Sequence, residues 1–176
     1  MASELGVQTI QHTNGTDALT ISSGGIVTES QKPVLHLSAD SSGSQAYSDG
    51  VTKDVTWNHV DLDTVSGWDS VNYRYTPGVA GWYMVTVSLR VATSSFASRL
   101  QLTSSVSGTP VDRIQYVVSS SIFTDGTYPF TNRLFYLTAS DYINFIFYGQ
   151  GSAGTLHDQS DQQFRSRLSI FLVQPA

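Results

Sequence analysis

The chain has 176 residues, 14 acidic and 9 basic, with a net charge of −5 and no cysteine. That length suggests one domain with room for a short appendage, the acidic balance argues against generic binding to nucleic acid phosphates, and the missing thiols exclude disulfides and thiolate metal sites. Only 13% of the residues are charged, and two lysines (Lys32, Lys53) and two glutamates (Glu4, Glu29) are too few to coat solvent-facing helices, so the composition points to an all-β protein.

Residues 1–32 read differently from the rest. Asn14-Gly15 and Gly24-Gly25 are turn punctuation between short polar segments. Its short segments carry one or two apolar residues each, and Ile10, Leu19, Ile21, Ile26 and Val27 are the candidates for contacts. Such an arm cannot bury a core alone, and it is expected to order by pairing with neighbours. Its first residues lack the basic and apolar stretches of a secretory signal, and no run in the chain approaches the ~20 apolar residues of a membrane helix.

From Pro33 onward strands alternate with turns. Val34–Leu37 is the first, followed by a Ser/Gly loop over 41–50. Val55–Trp57 reads as a short strand, then polar loop to Trp68. Val71–Thr76 is next, ended by Pro77-Gly78 because Pro lacks a ladder donor and Gly admits a turn. The clearest strand is Gly81–Thr93. Tyr83, Val85, Val87, Leu89 and Val91 alternate with Trp82, Met84, Thr86, Ser88 and Arg90. Arg99–Ser105 and Val111–Val118 read as a hairpin around Ser107–Pro110. Phe130–Leu137, Tyr142–Tyr148 and Phe164–Val173 complete about ten strands, a sandwich or barrel with Greek-key connections.

Three segments carry a family likeness. Asn72–Tyr83 contains Tyr75-Thr76-Pro77-Gly78-Val79-Ala80-Gly81-Trp82-Tyr83, an aromatic followed after five residues by Gly-x-Tyr. Leu137–Ile143 carries Asp141 in a strand–turn–strand pattern, and Phe164–Val173 forms the terminal strand. Together they resemble the C1q/TNF-like jelly roll over residues 33–174. The resemblance implies a trimer in which the sheet containing Gly81–Thr93 faces the threefold axis. Ser140 stands where that pattern has Gly, and Arg165 and Arg167 stand where small or apolar residues are usual. The arm is similar to leader segments of tailed-phage virion proteins, in which such an arm precedes a C1q-like head.

Chemistry is sparse. Gly149-Gln150-Gly151-Ser152-Ala153-Gly154 has the spacing of a dinucleotide loop, but a polar loop follows instead of a helix N-terminus. His59, Asp61 and Asp63, and His157, Asp158 and Asp161, are read as solvated loops, with a modest metal site as the alternative. No nucleophile elbow occurs, and both Glu residues lie in the arm. No enzyme activity, cofactor or metal is expected. Trp82 and Met84 stand on the face that a lone sandwich would wet, which reads as a trimer interface first, with isolated surface apolar residues as the alternative. Tyr47, Trp57 and Trp68 read as core plugs first, with sugar stacking or interface as alternatives.

The resulting expectation is an all-β C1q/TNF-like jelly-roll head, residues 33–176, behind an extended attachment arm, residues 1–32. The expected role is that of a homotrimeric phage virion surface protein, decorating or cementing the capsid. Ile10, Leu19, Ile21, Ile26 and Val27 would make the arm contacts, to sister chains, the major capsid protein or another virion protein, with no nucleic acid or membrane partner. The alternative is a tail-fibre head that binds a host glycan through loops 40–54, 119–129 and 150–163.

Overall fold

The computed structural model describes residues 9–11, 17–29, 32–93, 99–117, 125–151, 153–157 and 165–176. They divide into two compact units, 1–32 and 33–176.

The first unit is an antiparallel meander of β1 (Thr9–Gln11), β2 (Asp17–Ile21) and β3 (Val27–Glu29). The β2–β3 turn is fixed by Gly25, at φ 77°, and by Ser22, whose hydroxyl accepts from Ile26 N at 3.1 Å. The Asn14-Gly15 turn lies outside the described residues.

The second unit is a two-sheet sandwich. Its first strands are β4 (Val34–Ala39), β5 (Gln45–Tyr47), β6 (Thr52–Asp54), β7 (His59–Asp63), β8 (Trp68–Asp69) and β9 (Arg74–Tyr75). The longer ones follow: β10 (Gly81–Thr93), β11 (Arg99–Val106), β12 (Thr109–Val117) and β13 (Asp125–Leu137). β14 (Ile143–Gln150), β15 (Gly154–Leu156) and β16 (Ser166–Pro175) close the chain. One sheet has seven strands in the order β5-β15-β10-β16-β4-β7, with β13 on the other side of β10. The second has six, β12-β11-β14-β9-β8, with β6 also on β14.

The strand alternation seen in the sequence sets the packing. Tyr83, Val85, Val87, Leu89 and Val91 are at most 1% exposed, and each side chain so buried contributes roughly 1.5–3 kcal/mol. They meet Leu100, Leu102, Ile143, Phe145 and Phe147 of the opposite sheet in one core. Phe130 closes edge-on against Phe147, with ring centres 6.1 Å apart. Tyr83 donates its hydroxyl to Val79 O at 2.7 Å, and burial pushes its pKa up to about 12. Gly81 admits no side chain, because a Cβ there would sit 2.4 Å from Gln174 O. Asp141 does cap its turn, accepting from Thr138 N at 2.8 Å and Ser107 Oγ at 2.7 Å.

Several expected elements differ. The strand expected at Val55–Trp57 lies at Thr52–Asp54; Val55 N still bonds Phe145 O at 2.9 Å, and Val55 and Trp57 plug the core. Val71–Thr76 is not one strand. Asp69 accepts from Val71 N and Asn72 N, both at 3.0 Å, and this side-chain turn overrides the β preference of Val71, which is 82% exposed. Strands β5, β7 and β15 occupy stretches read as loops, because runs of three to five residues with only one or two apolar side chains each are too short to show a strand period. The head therefore has thirteen strands among the described residues, against the ten expected. Pro110 lies inside β12 rather than in the hairpin turn; a bulge opposite Ser104 and Ser105 on this edge strand accommodates it.

Candidate functional site

The outward face of the seven-stranded sheet is built by cross-strand register, in rows. Trp82 of β10 faces Tyr136 of β13, and the two rings meet edge-on with centres 5.6 Å apart. In the next row Leu134, Met84, Phe171 and Val34 stand side by side across β13, β10, β16 and β4. A bulge between Trp82 and Tyr83 leaves Val173 beside them. Trp82, Leu134, Tyr136, Phe171 and Val173 are 46%, 48%, 45%, 38% and 48% exposed. Met84 is half-buried among them. These large apolar groups adjoin one another in water, which a monomer seldom allows.

One row further along the same strands the chemistry changes. Asn132, Thr86, Ser169 and His36 form one row, and Ser88, Arg167 and Ser38 the next. His36 Nδ1 lies 2.9 Å from Ser169 Oγ, and Ser38 donates to Asp61 at 3.1 Å. A groove of about 300 Å³ runs here, lined by His36, Ser38, Asp61, Arg165, Arg167 and Ser169.

Arg165 and Arg167, the departures in the terminal strand, have separate roles. Arg165 reaches Asp40 with Nη2 at 2.8 Å. Asp40 is a buried hub. Ser42 donates to it through N (3.0 Å) and Oγ (2.6 Å), Asn58 through Nδ2 (3.0 Å), and His59 Nε2 lies at 2.9 Å. The Ser42 bond first, then Asn58 and His59, hold the Asp40 carboxyl far below the usual range despite burial. Arg167 stays exposed on the face.

Of the two possible metal groups, the one within the described residues does not assemble. His59 turns to Asp40, Asp61 to Ser38, and Asp63 to the backbone N–H of Val65 and Trp68. His157 is buried, with Nδ1 2.6 Å from Ser166 Oγ; Asp158 and Asp161 lie outside the described residues. The glycine-rich stretch connects two strands. A Cβ on Gly149 would come within 2.6 Å of the Tyr47 ring, and one on Gly154 within 2.1 Å of Ala92 O, so these glycines make room for packing. Tyr47 and Trp57 are core residues and Trp68 packs against the core.

Of the arm residues, Ile10 and Ile26 are 47% and 67% exposed, Ile21 is half-buried, and Leu19 and Val27 take their places in the meander's ladders. The sequence reading found Trp82 and Met84 but missed Leu134, Tyr136, Phe171 and Val173. Their signal was the loss of alternation: Leu134–Leu137 and Ile170–Val173 are unbroken apolar runs, which mark strands apolar on both faces.

Solved structures share this architecture. The Eiger TNF of S. frugiperda superposes with a TM-score of 0.60 at 14% identity, over 83% of this chain and 95% of that one. Murine APRIL does so with a TM-score of 0.57 at 16% identity, over 81% and 99%. The head is a TNF-like jelly roll. No family model matches the chain, nor does any curated protein. At such identity the likeness carries the fold and no ligand, so the function has to be argued from this jelly roll's own surfaces.

Proposed function

We propose that the protein is a non-enzymatic structural component that works as a homotrimer, its heads packed through the apolar end of the seven-stranded sheet. The observation that carries this reading is the adjoining exposed set Trp82, Leu134, Tyr136, Phe171 and Val173 on three neighbouring strands of one sheet. A flat apolar sheet face excludes water efficiently against copies of itself, and closed symmetry leaves none of it exposed. Light scattering of the full chain tests this: a mass three times 19.1 kDa is expected, and a monomer at micromolar concentration rejects it.

The proposed setting is the virion surface of a tailed bacteriophage, where the trimer decorates or cements the capsid and the arm makes contacts to sister chains or to the major capsid protein. The likeness of the arm to phage leader segments supports it. Mass spectrometry of purified virions decides between positions: hundreds of copies per particle are expected for decoration, and a handful would place the protein in the tail or a fibre.

One observation favours the second reading, a fibre head that recognises a host glycan. Tyr47 pairs with Gly154, Thr155 with Ala92, and Ala92 with Asp125. The described parts of loops 40–54 and 150–163 thus lie with the start of β13 at the far end of β10, ~30 Å from Tyr83, where Leu172 N bonds Pro33 O, while residues 152 and 158–163 lie outside the described residues. Residues 119–124 of the third loop lie outside the described residues. Saturable hits on a glycan array would promote this reading.

A further inference from the structure

The register of the arm sorts its residues by face. Ile10 is opposite Leu19 across β1–β2, while Leu19 is opposite Glu29 and Ile21 opposite Val27 across β2–β3. Ladder partners share a face, as do residues two apart on one strand. Positions 10, 19, 21 and 27 of the ladder therefore share one face, with position 29 at its end. Thr9, Thr20 and Thr28 are mutual partners on the other. A single three-stranded layer with one aliphatic face has no core of its own, and Ile10 is 47% exposed.

We infer that this face is covered by the same face of two other copies, so that three arms close into a three-sided bundle. The inference rests on the homotrimer proposed above. Two features select sister arms as the occupant. Pro33 O accepts from Leu172 N and Val34 pairs with Phe171, so the chain enters the head at the apolar end of the sheet, where the trimer packs. Only residues 30–33 separate Glu29 from Val34, five Cα steps that span at most ~18 Å. In such a trimer, three arms on tethers this short meet at millimolar effective concentration, far above that of any free partner. Three aliphatic faces of this kind also close on one another and leave no fourth face to cover.

The chain has no cysteine, so one introduced thiol reports on one face. Full-length Ile21→Cys and Thr20→Cys are oxidised separately with copper phenanthroline and oxygen, and followed on non-reducing gels. Ile21→Cys is expected to give covalent dimers in about two thirds of the chains, because three thiols pair two at a time. Its rate should not depend on protein concentration and should exceed that of Thr20→Cys at least tenfold. Val27→Cys should repeat the result at a second site on the same face. Equal rates at positions 20 and 21, or cross-linking of both Ile21→Cys and Val27→Cys that rises with concentration, overturn the bundle. Light scattering on the same samples separates the two failures. A trimer without face-selective cross-links rejects the bundle alone, and a monomer of the unmodified chain rejects the trimer beneath it. Cross-links to a capsid protein in assembled particles, in place of sister chains, also overturn it.

Discussion

The two ends of one sheet face differ in how completely the chain satisfies them. At the polar end, side chains answer one another: His36 with Ser169, Ser38 with Asp61, Arg165 with Asp40. At the apolar end, Trp82 meets Tyr136, yet both remain nearly half exposed. The same strands build both ends with the same period. The difference lies only in which residues fall outward. A sheet can thus carry a self-sufficient surface and a surface that needs a partner within ~20 Å of each other.

The largest effect should come from placing a charge at the needy end. Trp82→Asp is expected to reduce the mass in light scattering threefold while circular dichroism stays that of a β-sandwich. Three buried carboxylates around one axis cost several kcal/mol each, whereas a free monomer solvates them. A variant that stays trimeric would remove Trp82 from the interface.

Next comes the hub beside the polar end. Asp40→Ala leaves Arg165 and His59 without their shared carboxylate and is expected to cost about 3 kcal/mol in urea unfolding. The wild type should also carry an acid limb. Because the folded-state pKa of Asp40 is depressed, its contribution is complete above about pH 4 and is lost as pH falls through the folded value. Asp40→Asn should flatten that limb without erasing it. Asp141, held low by Thr138 N and then by Ser107, and Asp69, held low by Asn72, titrate in the same direction. An unchanged limb in Asp40→Asn would show that the hub is not its source.

How much of this was legible beforehand follows from the range of each interaction. The alternation of β10 is local, and it named Trp82 and Met84 together with the whole buried side of that strand. The rest of the patch depends on register. Leu134 and Phe171 stand beside Met84 only because β13 and β16 return to flank β10, some 50 and 90 positions later in the chain. No local window contains that. The turn at Asp69 failed for another reason: Val71 signals a strand, but one carboxylate capping two backbone donors outweighs a β-branched side chain in water. Strand β7 was hidden because Asp61 and Asp63 make an edge look like a loop, while charge on an edge is what keeps it from pairing further.

A truncation at the apolar end should have an intermediate effect. Phe171→Ala removes one ring per chain from the centre of the row Leu134–Met84–Phe171–Val34. The expected outcome is a trimer that dissociates on dilution at least tenfold more readily, because a truncated interface aromatic typically costs 1–2 kcal/mol or more. Sedimentation at several concentrations would show it. Unaltered dissociation would confine the interface to the Trp82–Tyr136 row.

The smallest effect belongs to the polar end. His36→Ala removes the hydrogen bond to Ser169 and empties part of the groove, yet His36 is only half-buried. A bond of that kind contributes about 1 kcal/mol or less, since water replaces the lost partner. The mass should stay trimeric and the unfolding midpoint should move by only a few degrees. If His36→Ala instead dissociates the protein as fully as Trp82→Asp, the groove is not a solvated margin. It is a second contact region, in which His36, Asp61 and Arg167 of one chain meet their counterparts on the next, and the interface spans the whole face.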